Sequence, residues 1–131
     1  VDSLLFEWDG AGFGAAPTQL FPTVGARHVA AHAVGGATLL LFACEQGVSS
    51  PVFQWSAAAG QFELLQHVPT RRATDSALFT AGGHEFVAVA QAGDCLTVRT
   101  SVFASECSTT HRWNGTLLVG VSDAGSRLVE R

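Results

Sequence analysis

The sequence contains no lysine: its seven basic residues are all arginines, set against eleven Asp and Glu, for a formal charge of -4. So few cations cannot neutralise a run of phosphates, which argues against a nucleic-acid partner. The one basic doublet, Arg71-Arg72, is too small for a polybasic membrane patch. Long apolar runs are also missing. A spanning helix needs about 18 such residues, and the longest candidate, Ala37 to Cys44, is strand-sized, so this segment is not expected to insert in a membrane. No signal peptide is recognisable and the chain begins at Val1, so it is expected to be a fragment or processed product of a larger protein. The three cysteines, Cys44, Cys95 and Cys107, show no CxxC spacing; they suit one disulfide plus a thiol, or three thiols, and leave the redox compartment open.

What is present is apolar. Hydrophobic residues make up 47% and charged ones only 14% of 131 residues, which excludes a disordered chain and suits one domain with a real core. Repetition organises that core. A shift of 47 residues superposes Ser3 on Ser50, Phe6 on Phe53, Trp8 on Trp55 and Gln19 on Gln66. It also superposes Pro22-Thr23 on Pro69-Thr70, Ala26 on Ala73, and Gly35-Gly36 on Gly82-Gly83, with twelve identities in 45 aligned pairs. Chance would not bring the turn glycines and both tryptophans into register together. Units are therefore expected at 1–48 and 49–94, with a degenerate, shortened third at 95–125 and the start of another at 126–131. In the third, Asp94–Thr100 aligns with Asp2–Trp8. Asn114-Gly115 takes the place of Gly82-Gly83, and Leu117–Val121 that of Glu85–Val89, which leaves roughly one strand compressed.

Each unit reads as short strands. In the second they fall at 51–55, 62–68, 76–81 and 85–91, rich in Val, Phe and Leu and separated by turn residues. The Gly-Gly pairs and Asn114-Gly115 mark tight hairpins, since such turns need positive φ. Arg27–Val34 has a helix-like composition, but its repeat counterpart fits a strand, and equivalent positions should share a structure. Four antiparallel strands per 45 to 47 residues predict an all-β chain of antiparallel β-propeller blades.

The second copy carries Phe53, Trp55, Phe62, Gln66, Thr70, Ala73, Asp75, Phe79, Gly83 and the run Phe86–Ala90. This pattern resembles the epilepsy-associated repeat, also called EPTP; the first copy shares it but has His28 at the place of Asp75, and residues 101–113 fit poorly. The resemblance implies a seven-bladed propeller, of which this chain would hold about 2.5–3 blades, in secreted or cell-surface proteins of neuronal and sensory signalling and adhesion. It further implies an extracellular protein-binding platform and no enzyme. A propeller usually needs at least four blades, so the rest of its own propeller is an expected partner beside a cell-surface or matrix protein.

The recurring Phe6, Trp8, Phe53 and Trp55 are expected to pack between blades, because a binding site seldom needs the same residue in every unit. Family propellers can hold calcium in their channel through aspartates, which makes Asp75 a weak calcium candidate; no other cofactor is implied. His28 and His32 would stand about 13 Å apart on a strand, too far to share zinc. Gly10–Gly14 reads as a variable hairpin, not a phosphate loop, and Asn114-Gly115-Thr116 is an N-glycosylation sequon at a hairpin tip. Cys95 and Cys107 flank the compressed region and are the preferred pair if a bridge exists; Cys44 reads as a buried thiol. An alternative is a propeller enzyme such as a glycosidase or lyase. It would need convergent carboxylates, whereas Glu63, Asp75, Asp94, Glu106 and Asp123 fall at non-equivalent positions, and no GxSxG is present. A purely structural repeat is the other alternative.

Overall fold

The computed structural model describes residues 1–92 and 108–121. Among them there is no helix. Ten strands form: β1 (Ser3–Leu5), β2 (Gln19–Phe21), β3 (Ala26–Val34), β4 (Ala37–Cys44), β5 (Ser49–Ser56), β6 (Gln61–Pro69), β7 (Ala73–Ala81), β8 (His84–Gln91), β9 (Thr109–Trp113) and β10 (Leu118–Gly120). They make a two-stranded first sheet, β1-β2, and two four-stranded sheets, β3-β4-β5-β6 and β7-β8-β9-β10, all antiparallel. These are propeller-type blades, with β3 of the second sheet lying against β7 of the third. Arg27–Val34 is strand, as the repeat requires.

The period survives at the level of strand register. β1 meets β2 at Ser3↔Phe21, Leu4↔Leu20 and Leu5↔Gln19; β5 meets β6 at Ser50↔Val68, Pro51↔His67 and Val52↔Gln66, the same pairs moved by 47. Pairing of β3 with β4 and of β7 with β8 obeys the same shift throughout, including a bulge at Ala26/His28 and another at Ala73/Asp75. Both hairpins turn on two glycines with positive φ, 52° and 82° at Gly35-Gly36 and 58° and 79° at Gly82-Gly83. Positive φ at both central residues is what a two-residue turn needs to match the right-handed twist of the strands it joins.

The sheets divide the chain at a different phase from the one the strand list suggested. The four strands expected together between 51 and 91 all form, but β5 and β6 complete the second sheet while β7 and β8 begin the third. An alignment fixes a period and leaves its starting point arbitrary; the sheet break falls at Thr70–Arg72, where the chain crosses over. Arg72 is the one described non-glycine with positive φ, 55°, and its repeat counterpart is Gly25 at 61°.

The third blade needs a larger correction. β9 meets β8 at Phe86↔Arg112, Val87↔His111 and Ala88↔Thr110, as β5 meets β4 at Leu39↔Gln54, Leu40↔Phe53 and Leu41↔Val52. The counterpart of Ser50–Trp55 is therefore Ser108–Trp113, offset by 58 and not 47. A side-chain bond agrees: the Gln91 amide donates to Ser108 Oγ at 3.1 Å, as the Cys44 amide donates to Ser50 Oγ at 3.1 Å. The connection from β8 to β9 is thus eleven residues longer than that from β4 to β5, and the blade has its four strands. Leu118–Gly120 is the outer strand, paired with β9, and not a counterpart of β8. Asn114–Leu117 is the loop of that outer hairpin, not a Gly-Gly equivalent. The assignments on Asp94–Thr100 and 126–131 lie outside the described residues.

Burial follows from strand alternation. In β4, Leu39, Leu41 and Ala43 join Val34, Val87, Val89, Trp113 and Leu118 in a core between the second and third sheets. Phe42 and Cys44 face the other way, joining Phe21 and Phe53 between the first and second. Both faces of β4 are covered, which is why Ala37–Cys44 reads as one apolar run.

Candidate functional site

The most specific chemistry among the described residues lies along the seams between sheets. Gln19 on β2 reaches across to β6: its Nε2 donates to the Phe62 carbonyl at 2.6 Å, and its Oε1 accepts from the Phe62 amide at 3.0 Å. Gln66 on β6 does the same one blade later, donating to the Leu118 carbonyl at 3.0 Å and accepting from the Leu118 amide at 2.7 Å. A primary amide presents an N–H and a C=O side by side on one plane, so it substitutes for a strand neighbour and satisfies both backbone groups of one residue. Each glutamine thereby ties one blade's outer strand to the next. Two hydroxyl pairs repeat as well: Ser3 with Thr23 and Ser50 with Thr70, both at 2.8 Å, fasten each outer hairpin to the crossover that follows.

At the hairpin ends the second seam has a further lock. The Gly35 amide donates to Glu85 Oε1 at 2.8 Å, and the Trp113 ring lies so close that a Cβ on Gly35 would sit 2.8 Å from its Nε1. Nearer the inner edge, His28 Nδ1 donates to Asp75 Oδ1 at 3.0 Å, and His32 Nε2 shares a 3.1 Å hydrogen bond with Ser76 Oγ. His28 and Asp75 are equivalent positions of successive copies, and neighbouring inner strands bring them face to face. His32 is buried, and its pKa is lowered first by that desolvation, then by His28, with Asp75 opposing. His111, at the position of Phe53, shares a 2.9 Å bond with Thr109 Oγ1, and burial lowers its pKa too.

The four aromatic positions expected at blade contacts part company here. Phe53 is buried, its ring centroid 4.8 Å from that of Phe21 across the first seam. Phe6, Trp8 and Trp55 are exposed. Trp8 meets Phe13 edge-on at 5.1 Å and Trp55 meets Phe62 at 5.1 Å, each a neighbour along its own outer hairpin. Trp113 is the tryptophan seated between sheets. It was hidden from an ungapped comparison by the longer β8–β9 connection, although a third Phe-x-Trp-like end, His111-Arg112-Trp113, stood in the sequence. Gln19 and Gln66 were visible as identities; the clasp itself needed coordinates.

Among the described residues no three His, Cys, Asp or Glu side chains gather around a point. Asp75 brings one carboxylate, already bonded to His28 and, at 2.7 Å, to the Ser76 amide, so any calcium site would need ligands from outside these residues. Other acids have structural partners: Asp9 accepts the Ala11 and Gly12 amides, which lower its pKa, and Glu45 pairs with Arg27 at 3.0 Å. Asp9 sits in the hairpin between Trp8 and Phe13, so Gly10–Gly14 is turn and not phosphate loop. Cys44 is buried, and desolvation raises its pKa, keeping the thiol protonated. Cys95 and Cys107 lie outside the described residues, as do Asp94, Glu106 and Asp123. Asn114 is exposed, its Oδ1 accepting the Thr116 and Leu117 amides at 2.8 Å.

Residues 61–103 match the EPTP domain. The resemblance to the epilepsy-associated repeat holds on this stretch, which opens on β6 and runs through β7 and β8. The matched stretch thus starts on the outer strand of one blade and continues into the next. It carries the clasp residue Gln66, the crossover Thr70 and the turn glycines with it. A search of curated proteins finds no match to the chain.

Proposed function

We propose that this chain is part of an extracellular β-propeller that binds a cell-surface or matrix protein and performs no catalysis. The EPTP match on residues 61–103 is the observation that carries this reading, because EPTP is a non-enzymatic propeller repeat. The seams support it physically. Blades locked by Gln19 and Gln66 form a stiff frame, and a stiff frame lets exposed loops present side chains at little entropic cost. Secretion is part of the proposal: Asn114 stands on an exposed loop with Oδ1 engaged by backbone amides, leaving Nδ2 to carry a glycan. The test is a biosensor screen of the parent protein's complete propeller, expressed through the secretory pathway, against cell-surface and matrix ectodomains. Saturable binding to a defined ectodomain is expected; no binding across such a panel contradicts the reading.

A further inference from the structure

Asn114 is the single asparagine of the chain, and a glycine follows it. The residue after each of Trp8, Trp55 and Trp113 closes its outer loop with a side-chain oxygen. Asp9 Oδ1 takes the Gly12 amide, Ser56 Oγ the Ala59 amide and Asn114 Oδ1 the Leu117 amide, at 2.9, 3.1 and 2.8 Å. Asp9 and Asn114 also take the amide two places on, from Ala11 and Thr116, both at 2.8 Å. Closing the loop thus needs an oxygen and not an amide group. What the amide adds is reactivity toward its own backbone. The Gly115 nitrogen makes no hydrogen bond among the described residues, and the space beside its Cα is open. The two N–H donors on Oδ1 stand where negative charge gathers when a nucleophile adds to Cγ. Nδ2 has no partner among the described residues, and Asn114 and Gly115 are exposed, so ammonia can leave and water can enter.

We infer that Asn114-Gly115, when it carries no glycan, is a self-modification site at which the asparagine side chain becomes a carboxylate through a cyclic imide. The Gly115 nitrogen bonds to Asn114 Cγ and gives up its proton; the Cγ–Nδ2 bond breaks, and ammonia departs with that proton. Water then opens the ring. Addition at Cγ gives aspartate, and addition at the Asn114 main-chain carbonyl gives isoaspartate. One water is consumed, one ammonia is released, and nothing is oxidised or reduced. The loop accepts the first product, since Asp9 holds the same pair of donors in the first outer hairpin, and those amides keep it ionised. Isoaspartate instead lengthens the backbone between Trp113 and Leu118, which pair with each other and are both fixed in the second seam. Either product adds a negative charge and erases the glycosylation sequon. The inference goes beyond the reading above and needs neither secretion nor a closed propeller.

The test uses the 131-residue chain, made without glycosylation and held at neutral pH and body temperature beside a capped linear peptide of residues 110–119. Anion exchange and intact mass should show first-order conversion to a species one charge more negative, with the mass of one amide-to-acid exchange. Peptide mapping should place it at Asn114, with isoaspartyl methyltransferase labelling part of it. The folded chain should convert at least as fast as the peptide, because the fold supplies the Oδ1 donors. Asn114→Gln should abolish the acidic species, and Asn114→Asp should keep the wild-type denaturant midpoint. Conversion slower than in the peptide, an acidic species that persists in Asn114→Gln, or a lowered midpoint in Asn114→Asp overturns the inference. The ectodomain screen reads partner binding alone, so either result can fail without the other.

Discussion

Trp113 and Trp55 occupy one position in two successive blades, yet Trp113 is 9% exposed and Trp55 is 44% exposed. Their strands, registers and outer hairpins correspond. The difference lies in the neighbour: the second sheet presents the hairpin β3–β4 to Trp113, whereas the first sheet has only β1 and β2 to set beside Trp55 among the described residues. A repeat therefore fixes where a residue stands, and the adjoining blade decides what it does there.

The largest expected effect separates the two directly. Trp113→Ala should cost about 3–5 kcal/mol through the cavity left in the second seam, while Trp55→Ala should stay under about 1 kcal/mol; denaturant midpoints at constant slope would read both. A reversal would mean the seams have been assigned the wrong way round.

The clasps come next. Gln66→Ala leaves the Leu118 amide and carbonyl without partners, for a cost of about 1–3 kcal/mol in chemical denaturation. Gln66→Glu keeps the acceptor and loses the donor, so it should not restore wild-type stability.

The buried histidines give a pH dependence with a definite sign. His32, near His28, Asp75 and Ser76, and His111, beside Thr109, both have folded pKa values below the ordinary 6.5. The unfolded chain then binds more protons below that value, so their contribution to stability is complete above about pH 6.5 and falls as pH drops toward the folded pKa values. Thermal melts should accordingly decline from pH 7.5 to 5. His111→Phe, which installs the residue of the preceding blade, should reduce that slope.

The smallest effect concerns the crossovers. Arg72→Gly relieves a left-handed non-glycine and should stabilise by up to about 1 kcal/mol. Gly25→Ala should destabilise, because its Cβ would also meet Gln46 at 2.7 Å.

Much of the frame was legible because the identities each have a job. Ser3/Ser50 with Thr23/Thr70 are the hydroxyl pairs, Gln19/Gln66 the clasps, and Gly35-Gly36/Gly82-Gly83 the positive-φ turns. Three things could not be read from the sequence. The phase of the sheets is not a property of a period: β5 and β6 share a 47-residue unit with β7 and β8 but belong to the sheet before them. In the third blade, eleven extra residues and a histidine at the place of Phe53 put β9 out of register with the 47-residue period, which the alternating segment Asp94–Thr100 matches instead. The roles of Trp8 and Trp55 depended on what packs against them, which no spacing records.

Single-tryptophan variants test the difference between the seams most directly. Three chains, each with two of Trp8, Trp55 and Trp113 replaced by Phe, would be compared by emission maximum and acrylamide quenching. Trp113 alone should emit to the blue and resist quenching, while Trp8 alone and Trp55 alone should emit to the red and quench readily. Equal quenching of Trp113 and Trp55 would contradict the seating of Trp113 on the Gly35 turn, and with it the third blade as described.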